Sequence, residues 1–463
     1  MSILPPFDAE LLKRYDRPGP RYTSYPTAPH FSTKFDARAY REAARESNAD
    51  PIPRSLSLYV HVPVCLSPCF YCGCNRIITR DLSRGEKYLG HVQREIGMVA
   101  PLFDRDREVV QLHLGGGTPN FLKPELMEAL VQSLGREFQF STRPDRDFSI
   151  ELDPRSVDPD GIAQLAALGF NRASLGVQDF DPEVQDAVNR IQSVEETLAV
   201  IEACRTHGFR SVNVDLIYGL PRQNLEGFAR TLDTVIAARP DRLAVYSYAH
   251  LPDLFKAQKQ IKIEDLLPPP MKLRLLQLAI EKLSAAGYHY IGMDHFALPT
   301  DELARAQASG SLQRNFMGYT THAETDLIGL GMSAISKIGE HFAQNARELG
   351  GYVAAIDAGH LPVMRGLRLD ADDVLRADLI QHLMCQGVID KRDLEVRYGI
   401  HFDEYFASSL EQLPPLVDDG LLELDGDLIR VTPRGRLLLR IVAMCFDRYL
   451  QTPSQPVRFS KAI

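Results

Sequence analysis

LSLYVHVPVCLSPCFYCGCNR, residues 56–76, governs the reading of the whole chain. Leu56, Leu58, Val60 and Val62 alternate with Ser57, Tyr59 and His61, the period-two pattern of a β-strand. Directly after it, Cys65, Cys69, Cys72 and Cys74 fall in C-x₃-C-x₂-C-x-C spacing. Thiolates are the ligands of iron–sulfur clusters. A compact loop with three of them can hold three irons of a cubane and leave the fourth open to an external ligand. A structural zinc site is the alternative, but it ordinarily takes four tetrahedral ligands from two separated pairs. Here one short loop carries every sulfur, and Gly73 leaves little room for Cys72 and Cys74 to ligate together. The other three of the seven cysteines, Cys204, Cys385 and Cys445, are scattered singly and read as core. An odd, clustered count does not describe a disulfide framework; it points to metal or redox chemistry.

Outward from this segment the chain alternates strands with amphipathic helices. Further strands are expected at 109–114, 148–152, 173–177, 212–217 and 243–248. Tyr88, Val92, Ile96 and Val99 mark the first intervening helix, and Leu126, Leu130 and Leu134 the second. The later helices are expected near 162–168, 193–204, 225–236 and 271–283. Ser193 with Glu196 three residues on is a capping box. Six β/α units in sequence demand a parallel sheet with right-handed crossovers. Periodicity alone does not separate a flat sheet from a barrel. The polar motifs, however, follow strand ends, which in a barrel is the C-terminal mouth where sites assemble. One such motif is Gly115-Gly116-Gly117-Thr118-Pro119. Its glycines let backbone amides approach a ligand without a Cβ in the way, though on its own it is a weak turn signal.

The chain's 463 residues are 44% hydrophobic and 24% charged, the balance of a globular protein rather than a fibre or disordered chain. Fifty-two basic against 61 acidic side chains give a net charge of −9, which offers no general attraction to nucleic acid or anionic lipid. An anionic substrate must therefore meet locally gathered cations. No stretch approaches the ~18 apolar residues of a membrane span, and the first residues lack the pattern of a secretory signal. A cytoplasmic protein with no nucleic-acid and no membrane partner is the expectation. Residues 1–45 are expected to form an N-terminal strap over the active site. RPGPRYTSYPTAPHF (17–31) is too proline-rich for regular helix, and Tyr15, Tyr22, Tyr25 and Phe31 suit a segment laid on a surface. Residues 46–355 are expected to form the β/α domain, and 356–463 a mainly helical C-terminal domain. Helices are expected there at 375–387, 391–398 and 402–420. GLLELDGDLIRVTPRG (420–435) reads as two strands about an Asp-Gly turn, with a last helix to about 449. This pattern is winged-helix-like, but residues 371–440 hold 14 acidic and eight basic side chains, the wrong sign for a duplex. A structural or substrate-closing role is expected instead.

Cys65-x₃-Cys69-x₂-Cys72, with Tyr71 before the third cysteine, resembles the radical S-adenosylmethionine (SAM) signature, and GGGTP resembles that family's strip beside the methionine moiety. The resemblance implies an α/β fold, a partial (β/α)₆ TIM-like barrel. It also implies one 4Fe–4S cluster on Cys65, Cys69 and Cys72, with SAM on the open iron. GPRYTSYPTA, CGCN, GVQDF, DLIYGLP, GMDHFA, NFMGYTT and the C-terminal FSKAI together resemble the oxygen-independent coproporphyrinogen III dehydrogenases of the HemN type. That resemblance covers nearly the whole chain. It implies oxidative decarboxylation of two propionates of coproporphyrinogen III to vinyl groups, giving protoporphyrinogen IX through a 5′-deoxyadenosyl radical. Two SAM molecules are expected. Tyr59, Gly115, Glu151 and Ile335 correspond to residues around the first. Tyr71, Gly116, Gly117, Gln178, Arg190, Asp215 and Ala249 correspond to contacts of the second, with Thr118 completing the glycine strip. Tyr59, Glu151, Phe316 and Ile335 are expected at the reacting centre, and Cys74 beside the cluster without ligating it. A low-potential electron donor, an electron acceptor and a monomeric state complete the expectation. Each polar residue has a plainer alternative: Glu151 or Asp215 could cap the following helix, and Arg190 could sit solvated. Arg17 and Arg21, with Arg314 behind them, are candidates for the substrate carboxylates. Rival readings are a HemN-related haem chaperone without dehydrogenase activity, whose relatives generally lack the leader motif and the CGC cysteine, and a regulator using the C-terminal region.

Overall fold

The alternating segments become strands β1 (Leu56–Val62), β2 (Glu108–Gly116), β3 (Asp147–Leu152), β4 (Arg172–Gln178), β5 (Ser211–Tyr218) and β6 (Arg242–Ser247) in a computed structural model that describes residues 7–322, 324–451, 459 and 461. Each strand pairs in parallel with the next. The chain returns between them through helices Ser83–Val99, Pro124–Glu137, Pro159–Ala167, Val194–Thr206 and Leu225–Ala238. The capping box forms as read: the Ser193 hydroxyl accepts from Glu196 N–H at 3.1 Å and the Glu196 carboxylate accepts from Ser193 N–H. On the free side of β1 the sheet continues through β7 (Asp326–Leu330), parallel to β1, and then β8 (Ile335–Ile338), β9 (His341–Asn345) and β10 (Val363–Arg368), all antiparallel. The sequence reading did not separate these last four strands.

A parallel sheet covered by helices is buried on both faces, and here the two faces differ. Leu56, Leu58, Val60 and Val62 of β1 are buried among apolar neighbours, yet Ser57 and His61 are buried too. The register lines up a polar face: Ser57 opposite Gln111 opposite Asp147, and Tyr59 opposite His113 opposite Ser149. These groups satisfy one another. Ser57 donates to Gln111 at 3.2 Å, Gln111 to Asp147 at 3.3 Å, and His113 Nδ1 meets Ser149 Oγ at 2.7 Å. Polar residues are thus carried strand by strand toward the C-terminal ends.

Two compact units divide the chain, Phe31–Leu275 with Glu324–Arg368, and Met1–His30 with Leu276–Ala323 and Leu369–Ile463. This differs from the expected division at 1–45, 46–355 and 356–463, because packing does not follow chain order. The leader is split. Residues from Phe31 join the sheet unit: Ser32 N–H donates to Gly366 O at 2.7 Å, Phe31 stacks on Phe342 at 5.4 Å, and helix Ala37–Asn48 starts on an Asp36 cap. Residues before it pack within the other unit, where Tyr22 OH donates to buried Asp447 at 2.9 Å and Tyr15 OH to Asp419 at 2.6 Å. Proline keeps 17–31 free of α-helix, but Ala9–Tyr15 is helical ahead of it.

In that unit Ala371–Gln386 and Lys391–Tyr398 are helices as expected, whereas 402–420 is three short pieces, Phe402–Tyr405, Ala407–Leu410 and Pro414–Asp418. Pro414 and Pro415 have no N–H to continue a helical ladder. Leu422–Asp425 and Leu428–Val431 form the expected hairpin, with Val388–Asp390 as a third strand. The last expected helix breaks into Leu439–Met444 and Arg448–Gln451. Of FSKAI, Ser460, Ala462 and Ile463 lie outside the described residues. Among the described residues no helix is long and apolar enough to cross a membrane.

A buried ion pair fixes the start of β7. Arg107 donates to Asp326 at 2.6 Å, with side chains 3% and 1% exposed, and Asp326 also accepts Gly339 N–H at 2.8 Å. Asp326→Ala leaves the buried Arg107 charge without its carboxylate, so denaturant unfolding should show a loss of ~3–5 kcal/mol. A loss below ~1 kcal/mol would show that the pair is dispensable.

Candidate active site

Beyond β1 the chain runs through Pro63 into a short ladder, Val64–Cys65 parallel to Ile77–Ile78, and the cysteine loop spans the interval. Arg76 gathers that loop, donating to the carbonyls of Cys72 at 3.1 Å, Cys69 at 3.2 Å and Cys74 at 3.4 Å, and itself lines the cavity that the loop borders. The glycine strip docks alongside: Gly117 N–H donates to Val62 O at 2.8 Å and Thr118 N–H to Val64 O at 2.9 Å. A Cβ on Gly117 would lie 2.6 Å from the Pro63 carbonyl, and one on Gly116, at φ +113°, 2.4 Å from the His61 ring. Glycine is required at both positions.

Loop and strip border one cavity of ≈ 460 Å³. Cys65, Cys69 and Cys72 line it, with Tyr71, Gly116, Gly117 and Thr118. Glu151, Gln178, Arg190 and Asp215 line it from β3, β4, β5 and the loop after β4. Cys74 lines it as well, and its N–H donates to Cys72 Sγ at 3.4 Å. The donor set suits an iron–sulfur cluster: three thiols of one loop, hydrogen bonds onto sulfur from Thr118 to Cys65 at 3.3 Å and from Arg190 to Cys69 at 3.5 Å, and a cradle that a Cβ would fill. Three irons of such a cluster each take one thiolate; among the described residues no three His, Cys, Asp or Glu side chains converge on a single ion.

The remaining expected residues are not among those that line the cavity. Tyr59 lies one layer below, stacked on His113 at 5.8 Å, its hydroxyl 3.0 Å from His61 Nδ1. Gly115 faces Glu151 and His113, each 3.0 Å from where its Cβ would stand. Ile335 belongs to β8, and its backbone passes Gly329, the partner of Tyr59 in β7. Ala249 is exposed, and its carbonyl shares the Gln258 amide with that of Tyr71, at 3.1 and 3.0 Å. Phe316 lies in the other unit, in the turn of the hairpin Gln313–Asn315/Gly318–Thr320. Arg21 and Arg314 also lie there: Arg21 pairs with Asp294 at 2.6 Å, and Arg314, stacked over Tyr319, donates to Arg21 O at 2.8 Å.

Four participants escaped the sequence reading: His61, His113, Asp153 and Arg155. His113 and His61 stand two and four residues from motif residues on the polar strand face, and that period-two placement was the available signal. Burial pushes the Glu151 carboxyl up, but His113 at 3.4 Å and the Gly116 N–H at 2.9 Å outweigh it and hold it below its ordinary value. Asp215 moves the other way. Burial and the nearby Glu151 charge push it up to about 6 against hydrogen bonds from Asn213 and Ser174. Neither carboxylate caps the helix that follows its strand; Asp158 and Asn224 do.

The Asp215 shift carries a sign. An unfolded carboxyl titrates near ~3.9, so keeping Asp215 charged costs stability above the folded value, and the cost is relieved as pH falls through it. Asp215→Asn should raise the unfolding temperature of the cluster-free protein near neutrality, the advantage shrinking between about pH 7 and pH 5. An advantage that grows on acidification would contradict the shift.

Family models place this architecture. The radical SAM superfamily matches residues 59–235 and the HemN C-terminal domain residues 369–438. The oxygen-independent coproporphyrinogen III oxidase of Pseudomonas aeruginosa is 49% identical over 457 residues, covering 99% of each chain. The enzyme of that name from Escherichia coli K12 is 47% identical, covering 99% of this chain and 98% of its own. The solved structure of coproporphyrinogen III oxidase (HemN) from Escherichia coli, a radical SAM enzyme, matches with a TM-score of 0.91, over 97% of this chain and 100% of that one. The parallel β/α sheet, the cysteine loop and the glycine strip therefore have one source: the chain belongs to the oxygen-independent coproporphyrinogen III oxidase family of radical SAM proteins.

Proposed function

We propose that this protein carries out the oxygen-independent oxidative decarboxylation of two propionate side chains of coproporphyrinogen III to vinyl groups, giving protoporphyrinogen IX in haem biosynthesis. The observation that carries this reading is a single cavity that joins the thiols of Cys65, Cys69 and Cys72 to the glycine strip, Glu151, Arg190 and Asp215. Full-length relatives nearly half identical bear the name of that enzyme. Each propionate, –CH₂CH₂COO⁻, becomes –CH=CH₂ with release of carbon dioxide, one proton and two electrons. When bound, the cluster and SAM supply a 5′-deoxyadenosyl radical that takes hydrogen from the propionate β-carbon. The chain's own residues bind, orient and exclude water. Cys65, Cys69 and Cys72 hold the cluster.

Two SAM molecules fit this reading. For the first, the ionised Glu151 accepts hydrogen bonds from the ligand in the cavity, while Tyr59, Gly115 and Ile335, outside its lining, support that place from the strands behind it. Tyr71, Gly116, Gly117, Gln178, Asp215 and Ala249 serve the second, with Arg190 offering its fork to a carboxylate. Thr118 steadies Cys65, and Phe316 serves the reacting centre. Arg17, Arg21 and Arg314 answer the substrate's carboxylates in a chain of net charge −9. A low-potential donor delivers the electrons that start turnover and an acceptor removes those of the product. The protein acts as a cytoplasmic monomer, without nucleic acid or membrane.

Anaerobically reconstituted, reduced protein given SAM and coproporphyrinogen III should release protoporphyrinogen IX with 5′-deoxyadenosine, read by chromatography. Haem binding without any turnover would instead establish the chaperone reading.

A further inference from the structure

Just past β3, Asp153 caps the short turn Pro154–Ser156, its carboxylate accepting from Arg155 N–H at 3.1 Å. Two guanidiniums share that carboxylate. Arg155 grips it through Nε at 2.9 Å and Nη2 at 2.6 Å; Arg190 meets its two oxygens at 3.3 Å each. Burial pushes the Asp153 carboxyl up, but the Arg155 hydrogen bonds and the Arg190 charge outweigh it, so the group stays ionised. Both arginines then continue to one sulfur, Arg190 Nη1 lying 3.5 Å and Arg155 Nη2 3.9 Å from Cys69 Sγ. Cys69 is 8% exposed and Arg190 6%. Two cations against one carboxylate leave a net positive charge on a sulfur largely shielded from water.

The two arginines differ in what else they face. Arg190 is buried, donates to Gly176 O as well, and lines the cysteine-lined cavity. Arg155 borders that cavity and a second one of ≈ 530 Å³, which lies between the helices Pro124–Glu137, Pro159–Ala167 and Val194–Thr206. With Ser156 it borders both spaces beside Cys69. Substituting it leaves the Arg190–Asp153 pair in place and has room to be accommodated.

We propose that Arg155 is a positioning residue for electron entry: held on Cys69 Sγ by Asp153, its charge makes the cluster ligated there easier to reduce. This rests on Cys69 being a cluster ligand, as read above. An electron arriving from an external low-potential one-electron donor forms no bond to the protein and takes up no proton; it adds one negative charge to the irons and their thiolates. A fixed cation at hydrogen-bonding range of a thiolate favours the more negative state, and hydrogen bonds to sulfur and shielding from solvent are among the terms that set cluster potentials. Asp153 fixes the guanidinium in place while cancelling only one of the two charges.

The test compares full-length protein, anaerobically reconstituted, with Arg155→Gln, Arg155→Met and Arg155→Lys. Iron and sulfide per chain are measured first, then the reduced fraction of the cluster at set potentials by paramagnetic resonance. All four should carry the same cluster. At the potential that half-reduces the wild type, the reduced-to-oxidised ratio should fall about tenfold in the Gln and Met variants, a midpoint ~59 mV more negative, and stay within about twofold in the Lys variant. A ratio within about twofold of wild type in both uncharged variants, or a rise, overturns the proposal. So does a failure of both uncharged variants to take up the cluster while Lys does, since Arg155 would then serve assembly and not potential. Absence of cluster from the wild type would strike the cysteine reading itself, and the two failures are thereby distinguishable.

Discussion

Three carbonyls on one guanidinium hold the site together. A loop outside regular structure must still satisfy its backbone, and the cysteine loop does so by giving the Cys69, Cys72 and Cys74 oxygens to Arg76. With the loop's carbonyls taken up by Arg76, its sulfurs line the cavity that Arg76 also borders. The glycine strip is part of the same construction, because Gly117 and Thr118 hydrogen-bond to the backbone leading into the loop, and Pro63 leaves no space for a Cβ at Gly117. Loop, strip and first strand stand or fall together.

Around this frame the sheet distributes charge unevenly. Its polar face ends at Glu151 and Asp215, two carboxyls whose surroundings push them apart: one is held ionised by an imidazole and an amide, the other raised by burial and by its neighbour. Opposed shifts of this kind give neighbouring groups different tasks. Glu151 is suited to accept hydrogen bonds from a cationic or amine-bearing ligand, and Asp215 to bind hydroxyls. Beside these carboxyls Arg190 and Arg155 gather positive charge at Cys69. An acidic protein has thus gathered cations at Cys69 and carboxylates along the same cavity.

Much of this was legible in the sequence because it rests on local rules. Alternation in 56–62 gave the first strand, Ser193 and Glu196 gave a helix start that the structure reproduces, and the cysteine spacing with GGGTP located the cavity. What was not legible depends on register and long-range packing. His113 and Asp153 are single polar residues in the sequence. Only pairing Tyr59 with His113 and His113 with Ser149 makes the former part of the site, and only the return of Arg190 from beyond β4 gives Asp153 two partners. Both faces of a helix-covered parallel sheet are buried, so the polar alternates Ser57, Tyr59 and His61 already indicated a polar interior. The antiparallel strands β8 to β10 carry no comparable alternation, and the leader's division at His30 follows from partners hundreds of residues away, Phe342 and Asp447.

The central claim is that the three thiols hold a 4Fe–4S cluster with one iron open to SAM. Anaerobic reconstitution of wild type and Cys69→Ala, followed by iron and sulfide analysis and by paramagnetic resonance of the reduced protein with and without SAM, tests it most directly. The account predicts about four irons per chain in the wild type, a reduced spectrum that changes when SAM is added, and loss of the cluster in Cys69→Ala. Tetrahedral zinc in the wild type, or a cluster whose spectrum ignores SAM, would contradict it.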